Sequence, residues 1–330
     1  MTISPATLGA IHARFARGDP AGAWGELEPL VRSSTDPKAL QLAGMIRRGL
    51  GDLSGARDWL ERASAGGDGE ALNMLGNVLG DLGEFAAADA AFARAGAATP
   101  GDPNPLINRG RLASRRGRHE EALAHLNRAV ALAPRSVVAS VALGNALRTS
   151  GDAEAAVTEL TRARDLEPAR TSTALHLGVT LTAAERPAEA IAVYDAAERA
   201  GERSPELSHN RAAARVALGE LDAAEADYDR LTATFPGYLQ GHNERARLIQ
   251  EYGRNGDPFA SFAALARQYP REATVWEAWT QAQIGFRRHA DAAETAARGI
   301  AAAGASPALR LAQAIGQAES GKLADASAGF

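Results

Sequence analysis

The chain has 330 residues, 45% hydrophobic and 23% charged, with no Cys and a formal net charge of −4. Lack of Cys excludes disulfides and thiolate metal sites, and the weak acidity argues against a nucleic-acid surface, which would be basic. Aromatic residues make up only 5%, and the abundance of Ala and Leu sets a helical preference throughout.

The N-terminus, Met1 to Arg14, has no basic start followed by an apolar core, so it does not read as a signal peptide. No stretch approaches the ~18 consecutive apolar residues that a membrane helix needs. The expectation is a soluble, cytoplasmic protein with no membrane partner.

Periodicity dominates the rest of the chain. Pro100, Pro134 and Pro168 are 34 residues apart, and Pro236 and Pro270 fall on the same register. Gly44, Gly76, Gly110, Gly144 and Gly178 form a second ladder, with one step of 32. Gly51, Gly83, Gly117, Gly151, Gly219 and Gly253 form a third, and Ala56, Ala88, Ala122, Ala156, Ala190 and Ala224 a fourth. A fixed period of this length marks a stack of supersecondary units.

In chain order the predicted units are 4–36, 37–68, 69–102, 103–136, 137–170, 171–204, 205–238, 239–272, 273–306 and a partial 307–330. The first is degenerate: it has Gly18 and Ala23 but no closing Pro. Unit 137–170 shows the physics most plainly. Val141, Leu143, Gly144 and Leu147 lie at helical spacing, and Gly151 ends that helix where a left-handed backbone is needed. Asp152 and Glu154 suit the start of a second helix. Ala156, Leu160 and Ala163 form its apolar stripe, and Pro168 stops it. Gly144 and Ala156 let the two helices approach closely.

Unit 171–204 has Glu185 in the turn-Gly place, and Pro187 should open its second helix. Unit 239–272 departs most. Its turn reads Gly253-Arg254-Asn255-Gly256-Asp257-Pro258, which predicts a longer loop and a local change of curvature. In the last unit Gly321, Ala326 and Phe330 keep the register, but the sequence stops in mid-helix without a polar capping helix. That predicts a longer parent protein, with a further domain after residue 330.

These features resemble the tetratricopeptide-repeat (TPR) family, whose repeat carries Leu-Gly, Gly, Ala, a bulky residue, Ala and Pro at fixed places. Leu143-Gly144, Gly151, Ala156, Leu160, Ala163 and Pro168 satisfy that pattern, as do Leu75-Gly76, Gly83, Ala88, Phe92, Ala95 and Pro100. The resemblance spans the chain and implies an all-α, right-handed superhelical solenoid of helix-turn-helix repeats, about nine full repeats plus a partial one.

In TPR proteins the first helix of each pair lines a concave groove. That carries Glu70, Asn73 and Asn77 to the groove, then Asn104, Asn108, Arg111 and Arg115, then Asn145 and Arg148. His176, Glu206, His209, Asn210, Asn243, Arg247 and Gln281 come next along the chain. Asn is a mediocre helix-interior residue. Its amide offers donors and an acceptor, so a ladder of Asn77, Asn108 and Asn145 can hold an extended peptide backbone without reading its sequence. The competing role for such Asn is bridging neighbouring repeats. The family's carboxylate clamp for chaperone tails is not matched: its Lys places hold Asn73 and Val138, and its Arg place holds Ala142.

Catalytic motifs are missing: the sequence has no Gly-rich phosphate loop, no Gly-x-Ser-x-Gly and no HExxH. His289-Ala290-Asp291 reads as a solvated helix start. His176, His209 and His242 drift along the register, so they should not converge on a metal. Trp276 takes the bulky repeat place and should pack in the core. Arg47-Arg48 and Arg115-Arg116 read as solvated pairs. The expected function is a non-enzymatic protein-interaction scaffold that holds an extended peptide or partner protein in its groove, with no cofactor. The alternative is a recruiting arm of a larger enzyme, of the Fe(II)/2-oxoglutarate oxygenase-like, sulfotransferase or glycosyltransferase kind. A third expectation is self-association through the uncapped C-terminal repeat.

Overall fold

The computed structural model describes residues 3–168 and 170–319. Among the described residues, nineteen α-helices and one short 3-10 turn account for the regular structure, and there is no strand. Helices α1 (Pro5–Ala16) and α2 (Pro20–Val31) form the first pair, and α3 (Pro37–Gly49) and α4 (Leu53–Ala63) the second. Then come α5 (Gly69–Asp81) with α6 (Phe85–Ala98), α7 (Asn104–Arg115) with α8 (His119–Leu132), and α9 (Val137–Thr149) with α10 (Ala153–Leu166). Next are α11 (Thr171–Ala183), α12 (Pro187–Arg199), α13 (Pro205–Ala217) and α14 (Leu221–Thr234). The series closes with α15 (Leu239–Glu251), α16 (Ala260–Gln268), α17 (Ala273–Gly285), α18 (His289–Ala303) and α19 (Pro307–Glu319). The fold is an all-α helical-repeat solenoid. The chain divides into two compact units, Met1–Thr180 and Leu181–Phe330.

In the first unit the four pairs from α3–α4 to α9–α10 are closed by the small-residue ladder. A Cβ on Gly44, Gly76 or Gly144 would stand 2.5 Å from Leu60, Phe92 or Leu160. On Gly110 it would strike Leu126. Any side chain at these places drives the two helices apart, so glycine is what permits the close packing. Ala88, Ala122 and Ala156 are fully buried on the facing helices. Between the paired helices the turn glycines hold positive φ, as at Gly83 (81°). Asp68 caps α5 by accepting from the Ala71 N–H at 2.8 Å, and the same oxygen accepts from Gln41 Nε2 at 2.8 Å, tying α3 to the next pair.

The second unit keeps the pairing by other means. Ala212 and Ala246 replace glycine at the close approach, and the partners are the buried aromatics Tyr228 and Phe262. Arg211 is 4% exposed and Asp227 fully buried. Arg211 donates to both Asp227 oxygens at 2.9 and 3.0 Å and to Asp195 at 2.9 Å, and it also pairs with Glu198. Arg215 adds a bond to Asp227 at 2.8 Å. Burial alone would lower the Arg211 pKa, but the bonds and charge of Asp227, then Glu198, outweigh it and hold the guanidinium firmly charged. These contacts stitch α12, α13 and α14 together.

The irregular turns fall where the sequence breaks its own rules. Glu185 takes positive φ (59°) in place of glycine, and Pro187 opens α12. Residues 252–259 separate α15 from α16, against residues 82–84 between α5 and α6. Asp257 holds that long turn by accepting from the Phe259 N–H at 2.9 Å, and Phe259 is buried. In α17 and α18 the sizes are exchanged: Trp276 is buried on the first helix, and Gly299 makes room on the second, where a Cβ would lie 2.8 Å from the Trp276 Cβ. Trp276 Nε1 donates to the Pro270 carbonyl at 2.9 Å, and its ring stacks on Trp279. Gly321, Ala326 and Phe330 lie outside the described residues.

Candidate functional site

In the first unit the first helices pack side by side, α1 on α3, α3 on α5, α5 on α7 and α7 on α9, whereas no two second helices lie as close. The array is tighter on the first-helix side, so that side is its inner wall. Arg111 shows the consequence. Its side chain is exposed, yet enough protein surrounds it for burial to lower its guanidinium pKa.

The predicted asparagines fall into two sets. Asn108 donates to Asn73 Oδ1 at 3.0 Å, a bridge from α7 to α5, so for this pair the repeat-bridging role is realised. Asn77 and Asn145 are half-buried, and neither amide bonds within the described residues. The Asn145 Oδ1 is buried without a partner. Asn104 is exposed, its backbone N–H bonded to Asp102 at 2.9 Å.

The arginines divide likewise. Arg115 reaches the Gly80 carbonyl at 3.5 Å and lies over the Phe85 ring, with Arg116 beside it. Arg111 and Arg148 have no ion-pair partner among the described residues. Burial first, and then the charges of Arg148 and Arg111, push the His176 pKa below its usual range. Arg47 and Arg48 are not solvated as a pair: Arg47 pairs with Asp52 and covers Trp24, and Arg48 meets Asp81 at 2.7 Å. A cleft of about 410 Å³ opens near Arg48, walled by Phe15, Met45, Leu60, Met74 and Asn77. Sequence reasoning missed it, although Met45 and Met74 stand on predicted first helices.

In the second unit His209 packs edge-on against Tyr228 and Tyr238, with ring centroids 6.2 and 5.9 Å away. His242 is buried against Phe262, its Nε2 3.1 Å from the Pro236 carbonyl. The His residues thus serve separate aromatic clusters. Asn210 is half-buried, and the Asn243 Oδ1 is buried without a partner. Arg247 is paired with Glu244. His289 begins α18, where Asp291 meets Arg288 at 2.6 Å.

Among the described residues one cluster has metal-ligand chemistry: Asp89, Glu121 and His125 offer ligand atoms within 4.8 Å of one another. Arg109 already grips Asp89 with two bonds, 2.6 and 3.0 Å. Its charge also helps burial lower the His125 pKa. A guanidinium in that position repels a cation, so the cluster acts as an ion-pair clip between helix pairs.

A stack of helix pairs is a helical-repeat fold, the class that serves as a protein-interaction scaffold. The tetratricopeptide-repeat family model matches residues 73–137 and 141–205, so these two stretches are built of tetratricopeptide repeats. A thermophilic TPR protein of Thermus thermophilus is 25% identical, with 55% of this chain and 99% of that one covered and a TM-score of 0.45. PilF of Pseudomonas aeruginosa is 20% identical over 64% of this chain and 97% of its own, with a TM-score of 0.51. A TPR protein of Parabacteroides merdae is 16% identical over 76% and 98%, also at 0.51. The latter two likenesses concern the fold alone. No curated protein matches the chain.

Proposed function

We propose that the inner wall of the first unit holds an extended polypeptide, with Asn77 and Asn145 as backbone contacts. The observation that carries this reading is the pair of half-buried amides without a partner, above all the buried Asn145 Oδ1. An amide offers a peptide backbone both a donor and an acceptor, whatever the guest's sequence. A buried acceptor left unmet costs about 1–3 kcal/mol, and turning the half-buried Asn145 amide outward to meet a guest N–H relieves that cost. Asn108 supports the row from behind through its bond to Asn73.

The test is binding to an array of unstructured peptides, comparing the parent chain with Asn77→Ala/Asn145→Ala. The double variant should keep its helical circular-dichroism signal and lose about tenfold or more in affinity, as expected for two lost hydrogen bonds. Equal binding by the two chains contradicts the reading.

A further inference from the structure

The charges on the inner wall say which peptides it would take. Helices α7, α9 and α11 carry no acidic residue over their whole lengths. They do carry Arg109, Arg111, Arg115, Arg148 and His176. Arg109 is spent on Asp89, and Arg115 lies against Gly80 and Phe85. Arg111 and Arg148 remain, both at inner-wall register and both without an ion-pair partner among the described residues. That two uncompensated guanidiniums both reach His176 places them in one local field, and no carboxylate contributes to it.

Further toward the N-terminus the same wall changes character. The cleft of about 410 Å³ is walled mainly by apolar side chains. The one cation on its rim, Arg48, is neutralised by Asp81 at 2.7 Å. Two of the walls are Met45 and Met74, whose unbranched thioethers adapt to differently shaped guests. Asn77 belongs both to this cleft and to the backbone row.

Resting on the peptide-groove reading, we infer that the first unit selects an acidic extended segment with an apolar anchor. The anchor enters the Phe15/Met45/Met74 cleft, and carboxylates face Arg111 and Arg148. Opposite charge on a partly desolvated wall gives selectivity as well as faster encounter. A basic segment would meet the two free guanidiniums and be rejected.

The test uses fluorescence anisotropy with the full chain and three labelled peptides of equal length. One repeats Leu-Gly-Glu, one Leu-Gly-Lys and one Ser-Gly-Glu. The Leu-Gly-Glu peptide should bind about tenfold or more tighter than Leu-Gly-Lys, with affinity falling as salt rises. Arg111→Glu/Arg148→Glu should reverse that order, and a gain for the Lys peptide cannot come from misfolding. Met45→Gln/Met74→Gln should weaken the Leu-Gly-Glu peptide and leave Ser-Gly-Glu unchanged. Equal binding of Glu and Lys peptides, lost together in Asn77→Ala/Asn145→Ala, overturns the charge assignment and leaves the groove reading standing. An order unchanged by the charge swap also overturns it. No binding of any peptide overturns both.

Discussion

The two units reach the same helix pairing by different chemistry. In the first, glycine on one helix admits a large side chain from the other, and the contact is apolar and close. In the second, alanine faces buried tyrosine or phenylalanine, and a buried Arg211–Asp227 pair joins three helices. Their first helices differ too. On α7, α9 and α11 cations stand without acids, while α13 and α15 interleave Glu206, Glu244 and Glu251 with His209 and Arg247, and Arg247 is paired. A repeat thus fixes where helices go, and leaves each unit free to choose how it is glued and what it attracts.

The sharpest way to break this contrast is Asp227→Ala. It removes the buried carboxylate that Arg211 and Arg215 share, leaving Arg211 with Asp195 and Glu198 alone, and urea unfolding should show a loss of about 3 kcal/mol. The matching change in the first unit, Asp89→Ala, opens a pair that is 23% and 34% exposed and should cost less, about 1–2 kcal/mol. Similar losses would mean that the two units are not glued differently.

A smaller effect tests the glycine ladder. Gly144→Val should cost about 1–3 kcal/mol by overpacking against Leu160. Combined with Leu160→Ala, it should cost less than the two single changes summed, because each relieves the other. Strict additivity would show that the Gly144–Leu160 contact does not set the helix separation.

The smallest effect is a pH dependence shared by both units. Burial, as the leading cause, lowers the pKa of His125, His176, His209 and His242. The unfolded chain takes up protons near the ordinary imidazole value of about 6.5, and the folded chain only below that. Stability is therefore full above about pH 7 and lost as pH falls through the window beneath 6.5. Thermal midpoints between about pH 7.5 and about pH 5.5 should drop on acidification. A flat or rising profile contradicts the burial of these rings.

The same contrast explains how much was legible in the sequence. Phased glycine and proline betrayed the helix pairs because each acts through its own backbone, as at Gly83 and Pro168. The long turn at 252–259 was equally open to reading, since Gly256 and Pro258 displace the usual alanine. Trp276 in the core was legible, but its compensation by Gly299 was not, because that pairing lies between helices. Within the wall, register selected Asn77 and Asn145 together with Asn73 and Asn108. Only three-dimensional distance separates the free amides from the bonded pair. Arg211–Asp227 and the Phe15/Met45/Met74 cleft left no periodic trace, because each is assembled from side chains on different helices.

Site-specific photo-crosslinking tests the central claim most directly. A benzophenone side chain placed at Asn77 or Asn145 should capture the Leu-Gly-Glu peptide. The same group at Glu120, exposed on α8, should capture none. Equal capture from α8, or capture from α8 alone, would contradict an inner wall that holds its guest.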